Sequence, residues 1–437
     1  MKLQGTMNIN ESGHLEIGSC DTVDLVKRYG TPLVVIDEKQ LKGICGDYKE
    51  HFSGQGDALV LYASKAFLTP SVLSVVHKAG LGLDTVSGGE LYMAKHSGFP
   101  MDKVFFHGNN KTREEIEMAI DYKVGRIVLD NHFEIEHVES IAKDKGVRPE
   151  VLLRITPGID AHTHDFIKTG HIDSKFGFTL QTGDAMEGVR RVIESPYLEF
   201  KGLHCHIGSQ IFGTESFRHA IEVMVQFIKS IKDQLGTEVV DLDIGGGRGI
   251  YYAGDDEPTP ISDYAQAIFD TLHAAVKNTG IKIPRICIEP GRSIIGPCGT
   301  NLYTVGSIKE IPGIRKYVAV DGGMSDNIRP ALYGARYDVG IASRMTATAP
   351  LEVVTISGKL CESGDILARD LELPVLHTGD VLAMTSTGAY GYSMASNYNM
   401  IGKPAVIFVG DGKSDLIISR QTNADLMRGH ISLERLK

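Results

Sequence analysis

The chain predicts an α/β fold, a parallel (β/α)8 TIM-like barrel joined to a mainly antiparallel β-sandwich or β-barrel domain. Three observations predict it. From about residue 57 to residue 292, short β-rich runs alternate with polar turns and helical stretches. There are about eight such runs, the number that closes a parallel barrel. After Gly291 the alternation stops, and short strand-like runs follow one another across Gly-Asp and Asp-Gly turns. An open doubly wound sheet shares the alternation and is the competing architecture.

In chain order, the run Thr31–Asp37 comes first and is placed with the β domain. The barrel runs are Ala58–Lys65, Gly82–Ser87, Lys103–Gly108, Arg126–Asn131, Glu150–Thr156, Phe200–Gly208, Val239–Gly247 and Arg285–Arg292. The clearest intervening helix is Glu215–Leu235, where Phe217, Ile221, Met224, Ile228, Ile231 and Leu235 recur at helical spacing. The connection from Pro157 to Phe178 is longer than a usual barrel loop. Beyond the barrel come Lys316–Val320, Leu351–Ile356, Val381–Thr385 and Ala405–Val409, with turns at Gly364-Asp365, Gly379-Asp380 and Asp411-Gly412. The boundaries drawn are 37–293 for the barrel, with 1–36 and 294–437 forming the β domain.

Composition narrows the function. Of 437 residues, 42% are hydrophobic and 23% charged, as in a soluble globular protein. A formal net charge of −10 without a basic tract argues against nucleic acid or an anionic membrane as partner. No apolar run is long enough to span a bilayer, and Met1 to Gly13 carries no signal-peptide core. Cys20, Cys45, Cys205, Cys287, Cys298 and Cys361 are scattered, without zinc-ligand or disulfide spacing, which suits a reducing cytoplasm.

In a parallel barrel, reactive groups project from the C-terminal ends of the strands. Here those ends carry Lys65, Asp84 with Ser87, His107, Asp130 with Asn131, Arg154, His204 and His206, Asp243, and Glu289 with Arg292. Lys65 stands out, because burying an unpaired ammonium is unfavourable and a lysine ending a core strand needs a reason. A Schiff base to a carbonyl cofactor is one. On this segment alone the plainer reading, a lysine fraying into solvent, is favoured; the other strand ends overturn it.

Gly245-Gly246-Gly247-Arg248-Gly249 follows the seventh run. It suits a phosphate cradle beside strands seven and eight, and it suits a tight turn equally well. Glu289-Pro290-Gly291-Arg292 reads locally as a surface ion pair. Beside a cofactor-bearing lysine, the carboxylate has a sharper use: it keeps a pyridine nitrogen protonated, as cleavage of a bond to Cα requires. His204 and His206, at i and i+2, could share a metal, but no further ligand set completes the site, and His162 and His164 fall in a loop. No metal is expected. Locally, Cys361 beside Glu362 reads as structural, and Arg329 and Tyr333 as surface and packing residues.

Together these segments resemble the diaminopimelate decarboxylases, within the alanine-racemase-like class of pyridoxal-phosphate enzymes. The likeness runs from Tyr29-Gly30-Thr31-Pro32-Leu33 to the region of Tyr390. The lysine segment, His206-Ile207-Gly208-Ser209, the glycine run and Glu289-Pro290-Gly291-Arg292 are shared with ornithine and arginine decarboxylases. Ser174-Lys175-Phe176-Gly177, Arg329 to Tyr337 and Cys361-Glu362-Ser363-Gly364-Asp365 point to the diaminopimelate branch.

What the resemblance implies is decarboxylation of meso-2,6-diaminopimelate to L-lysine and CO2, the last step of lysine biosynthesis, with pyridoxal 5'-phosphate on Lys65. His206 stacks on the ring and Glu289 meets its nitrogen. Ser209, Gly245, Gly246, Gly247, Gly291 and Arg292 surround the phosphate. Arg292, Arg329 and Tyr333 take the distal carboxylate, Glu362 the distal ammonium, and Tyr390 closes the site. Cys361 donates the proton from a neighbouring subunit, so a homodimer with shared active sites is implied. Arg248 departs from the family, which more often has an aromatic there. The rivals are a decarboxylase of the same fold acting on ornithine, arginine or carboxynorspermidine, a metal-dependent barrel hydrolase, and a catalytically dead binding partner of a decarboxylase. The joint presence of Lys65, Glu289 and Cys361 counts against the last.

Overall fold

Eight parallel strands carry the first half of the chain: β1 (Ala58–Ala63), β2 (Gly82–Thr85), β3 (Val104–Phe106), β4 (Arg126–Leu129), β5 (Glu150–Thr156), β6 (Glu199–Cys205), β7 (Asp241–Asp243) and β8 (Arg285–Ile288). In this computed structural model, which describes residues 1–159 and 173–436, each strand pairs with the next and β8 pairs back to β1. The sheet is therefore a closed barrel, not an open doubly wound sheet. His162 and His164 lie outside the described residues.

The chain divides into two compact units, Lys42–Tyr251 with Glu257–Ile294, and Met1–Leu41 with Tyr252–Asp256 and Ile295–Lys437. In the barrel unit, side chains two apart on a strand share a face. Leu61, Phe105, Val128, Leu152 and Cys287 thus form a buried apolar layer inside the barrel. Two residues further along the same strands come Ala63, His107, Asp130, Arg154 and Glu289. The apolar plug and the polar mouth are one strand repeat apart.

Most strands stop short of the runs read from sequence, and the polar residues past their ends have other work. Ser64–Ala66 form a single tight turn after β1. Ser87 caps helix Gly88–His96, its hydroxyl accepting the Glu90 amide at 3.3 Å. Asn131 caps His132–Lys145 through the Glu134 amide at 3.0 Å. Both were expected at the mouth as chemistry. At those strand ends they also serve as N-caps, which satisfy amides that a helix start leaves bare. Helix Glu215–Leu235 forms as its periodicity predicts, burying Phe217, Ile221, Met224, Ile228 and Ile231. Each such burial contributes about 1.5–3 kcal/mol.

The second unit is a mainly antiparallel sheet assembly. Its long strand Gly299–Ile311 pairs antiparallel with Leu33–Asp37, Arg315–Val320 and Val381–Thr385. Two pairings are parallel: Leu33–Asp37 with Ala405–Gly410, and Arg315–Val320 with Leu351–Ser357. Leu33, Val35, Leu302, Ala383, Ile407 and Val409 belong to its buried core. Among the described residues no helix is long and apolar enough to cross a membrane.

Candidate active site

The C-terminal ends of the barrel strands hold a connected set of charged groups. Lys65 Nζ donates to Asp84 Oδ2 at 3.1 Å; the lysine side chain is 45% exposed and the aspartate 1%. The amine is thus tethered to a buried acid while its side chain stays accessible from outside. Asp84 Oδ1 lies 3.7 Å from His107 Nε2, and that nitrogen is 2.6 Å from Glu289 Oε1. His204 Nε2 reaches the other Glu289 oxygen at 3.3 Å. Lys65 and Glu289, far apart in sequence, are joined through Asp84 and His107.

The electrostatics of this set follow from burial and neighbours. Burial pushes the Glu289 carboxyl up, but His107 and His204 outweigh it and hold the group well below the usual carboxylate range. Burial drives the His204 imidazole down to about 4, with Glu289 opposing. His204 is therefore neutral near pH 7 and serves Glu289 as a hydrogen-bond donor. His206 keeps part of its surface open, yet crowding by protein and then the Lys65 and Arg154 cations push its imidazole well below its ordinary value. A neutral, flat imidazole is what stacking on an aromatic ring requires.

After β7 the chain makes the glycine turn. Gly245 has φ +70° and Gly247 φ +127°, both favouring glycine. A Cβ on Gly245 would stand 2.7 Å from the Cys205 carbonyl oxygen, one on Gly247 2.5 Å from that of Gly208, and one on Gly246 would collide with that of Glu289. The glycines are thus required by the packing of β6, β7 and β8 ends against each other. The amides of Gly246 and Gly247 donate to no group among the described residues. Beside them Arg292 Nε and Nη2 lie 3.2 and 3.1 Å from Ser209 Oγ. Open amides next to a guanidinium and a hydroxyl suit a bound phosphate. Gly291 packs on β1, since a Cβ there would be 2.8 Å from that of Ala63. Arg248, the departure in the turn, is drawn off to the Thr259 carbonyl at 2.7 Å.

Sequence reasoning assigned no partner to several groups that shape this mouth. Asp130 Oδ2 accepts the Gly177 amide at 3.0 Å, and the Arg154 guanidinium sits 4.2 Å from the centre of the Phe176 ring. Gly177 has φ +77°. The Ser174–Gly177 segment is thereby fastened to β4 and β5. Lys111, wholly buried, donates to the Gly108 and Val128 carbonyls and to Glu134 Oε2 at 2.7, 2.6 and 2.8 Å. Glu134 also accepts the amides of Lys111 and Asp130.

The pair thought able to share a metal, His204 with His206, is not the cluster that forms. His204 gathers instead with His107, Asp243 and Glu289, their polar atoms all within 4.8 Å of one another. The short contacts in that group run from imidazole to carboxylate: His204 Nε2 hydrogen-bonds Glu289 Oε2, while His107 Nε2 lies against Glu289 Oε1 without hydrogen-bond geometry.

The other predicted residues lie in the second unit. Arg329 and Tyr333 share helix Arg329–Tyr333, one turn apart. Arg329 is buried, donating from Nη1 to the hydroxyls of Tyr252 at 2.9 Å and Tyr337 at 2.6 Å. Tyr252, which no local signal marks, helps aim it. Cys361 and Glu362 are exposed on the loop that Asp365 ties down by accepting the amides of Met324 and Leu360 at 2.6 and 2.8 Å. The Cys361 amide donates to Asn399 Oδ1 at 2.8 Å. Tyr390 holds φ +60°, a left-handed backbone uncommon for a bulky side chain.

Comparison with known proteins gives the kinship. The family described as pyridoxal-dependent decarboxylase, pyridoxal binding domain, matches residues 39–296. A diaminopimelate decarboxylase of Bacillus methanolicus is 50% identical, covering 96% of this chain and 98% of that protein. One from Bacillus subtilis is 48% identical, covering 98% of each. The crystal structure of diaminopimelate decarboxylase from M. jannaschii in co-complex with L-lysine superposes with a TM-score of 0.93 at 37% identity, covering 99% of both chains. The chain belongs to the pyridoxal-dependent decarboxylase family, among the diaminopimelate decarboxylases.

Proposed function

We infer that the chain removes one carboxyl group of meso-2,6-diaminopimelate, giving L-lysine and CO2, with pyridoxal 5'-phosphate as cofactor. The observation that carries this reading is the barrel mouth itself. An amine on a buried acid, an ionised carboxylate held by two histidines, and open amides beside Arg292 and Ser209 match the carbonyl, ring nitrogen and phosphate of one molecule. When bound, the cofactor supplies the electron sink for the bond broken at the substrate α-carbon.

The protein's share is to hold and to exchange protons. Lys65 is the covalent anchor, and Asp84 is the counter-ion that keeps its amine placed. With the cofactor bound, Glu289 would hold a proton on its ring nitrogen, and the neutral His206 would stack on the ring. Ser209, the turn from Gly245 to Gly247, Gly291 and Arg292 hold the phosphate. For the substrate's far end we assign Arg292, Arg329 and Tyr333 to the carboxylate, Glu362 to the ammonium, and Tyr390 as a closing group. Cys361 Sγ delivers the proton that replaces the departing carboxylate on the α-carbon, and solvent restores the thiol. A site that pairs both distal charges rejects a substrate lacking one, because the partner is left bare.

A homodimer in which Cys361 serves the neighbouring chain's Lys65 agrees with the exposure of Cys361 and Glu362 on their own chain. Mixing Lys65→Ala and Cys361→Ala chains should then recover activity that neither has alone; no recovery would rule out sharing. Unpaired cysteines suit a reducing cytoplasm, where we place the protein. For the activity, borohydride should trap a visible cofactor band onto Lys65, and diaminopimelate should react far faster than ornithine. Equal turnover of ornithine would overturn the substrate, and a colourless protein after cofactor addition would overturn the chemistry.

A further inference from the structure

Asp241 and Asp243 stand two apart on β7, so they project to the same side. Their surroundings differ. Asp241 is clasped by two cations, Arg126 Nε at 2.8 Å and Arg285 Nε at 2.8 Å. Asp243 is equally buried, and its Oδ1 accepts only the Gly245 amide, at 2.8 Å. Its Oδ2 receives no hydrogen bond from any described residue. The groups around it are acids: Glu289 on the β8 end, Asp84 on β2, the Cys205 and Cys287 thiols on the flanking strands, and the Tyr264 hydroxyl. His204 and His107 belong to the same cluster, but both turn Nε2 to Glu289.

We propose that Asp243 stands in the fold as an un-ionised carboxyl group that shares its proton with Glu289, and that it is a positioning residue holding both the β8 acid and the glycine turn. Two buried carboxylates with oxygens within 4.8 Å of each other strongly disfavour double ionisation, and one proton serves the pair. Burial first and then the Glu289 charge push the Asp243 carboxyl well above its ordinary range, with the Gly245 amide opposing. Glu289, flanked by two imidazoles, keeps the charge. One oxygen of Asp243 thus fixes the turn that carries the open Gly246 and Gly247 amides. The other end fixes the acid. The proposal rests on the reading that these two features grip one cofactor.

The test compares full-length wild type, Asp243→Asn and Asp243→Leu, each with pyridoxal phosphate. Asparagine can still accept from Gly245 and donate to Glu289, as a protonated carboxyl does; leucine matches the size and can do neither. Infrared spectra should show a protonated-carboxyl band in wild type that is missing from Asp243→Asn. Cofactor affinity should stay within about threefold in Asp243→Asn and fall about tenfold or more in Asp243→Leu, the loss of a hydrogen bond to a charged group. The pH at which the bound cofactor changes colour should move in Asp243→Leu and hold in Asp243→Asn. No such band in wild type, or Asp243→Asn as weak as Asp243→Leu, overturns the proposal. A wild-type chain that takes up no cofactor sinks the functional reading alone, since the infrared band reports on Asp243 without it.

Discussion

His204 makes acid stability a direct probe of the barrel mouth. Its imidazole is wholly buried against Glu289, and burial pushes its pKa from an ordinary 6.5 down to about 4. Unfolding returns the ring to water and to its ordinary value. Because the folded pKa is the lower one, the stability this residue contributes is complete above pH 6.5. It drains away as pH falls toward 4. At about 1.4 kcal/mol per pKa unit, the gap amounts to roughly 3 kcal/mol at full protonation and somewhat over 2 kcal/mol near pH 4.5. That is a large share of the ~5–15 kcal/mol that holds an ordinary domain together. Glutamine in its place keeps an N–H for Glu289 but cannot titrate. Urea unfolding of wild type and His204→Gln across pH 7.5 to 4.5 therefore isolates the histidine. The variant starts less stable or equal, and the difference should swing in its favour by about 2–3 kcal/mol at the acid end. Parallel curves for the two proteins would show that His204 is not held neutral in the fold, and the account of Glu289 as the charged partner would go with it.

Gly246→Ala sets a methyl group against the Glu289 carbonyl, so the end of β8 must shift; we expect about 1–3 kcal/mol lost and about tenfold weaker cofactor binding, read by denaturation and cofactor titration. Native-like affinity would mean that the turn tolerates a side chain and is not held by close backbone approach. Lys111→Met strands the Glu134 carboxylate in the interior and should lower stability by about 3–5 kcal/mol, measured by urea. Adding Glu134→Leu should give back a good part of that loss; strictly additive losses would contradict the pairing.

Much of the fold could be read from the residues because each barrel strand is a short apolar run bounded by turn residues, and each helix repeats at its own period. The strand ends were overrun because a polar residue after a strand looks the same whether it faces the mouth or starts the next helix. A signal did separate the two. Ser87-Gly88-Gly89-Glu90 and Asn131-His132-Phe133-Glu134 are cap residues followed three places on by glutamate, the mark of a helix start. No such signal existed for the pairings. That Lys65 leans on Asp84, or that Tyr252 aims Arg329, depends on which strands and loops closure brings together. Lys111 in Asn110-Lys111-Thr112 looks like any loop lysine until Val128 and Glu134 are folded around it.

The two ends of β7 explain why the chemistry belongs at one end of the barrel. At the N-terminal end Asp241 meets two guanidiniums, so its charge is matched and no ligand is called for. At the C-terminal end Asp84, Asp243 and Glu289 converge, and Lys65 Nζ donates to Asp84. The His107 and His204 imidazoles and one shared proton keep that excess of acid inside the fold, but they leave Glu289 negative in a place sealed below by Phe105, Val128 and Leu152. Such a carboxylate is strongly disposed to hold a further positive charge. A protonated ring nitrogen, presented by a molecule whose carbonyl reaches Lys65, would supply that charge at the carboxylate. The imbalance that would weaken a purely structural barrel is, in this one, the basis for binding.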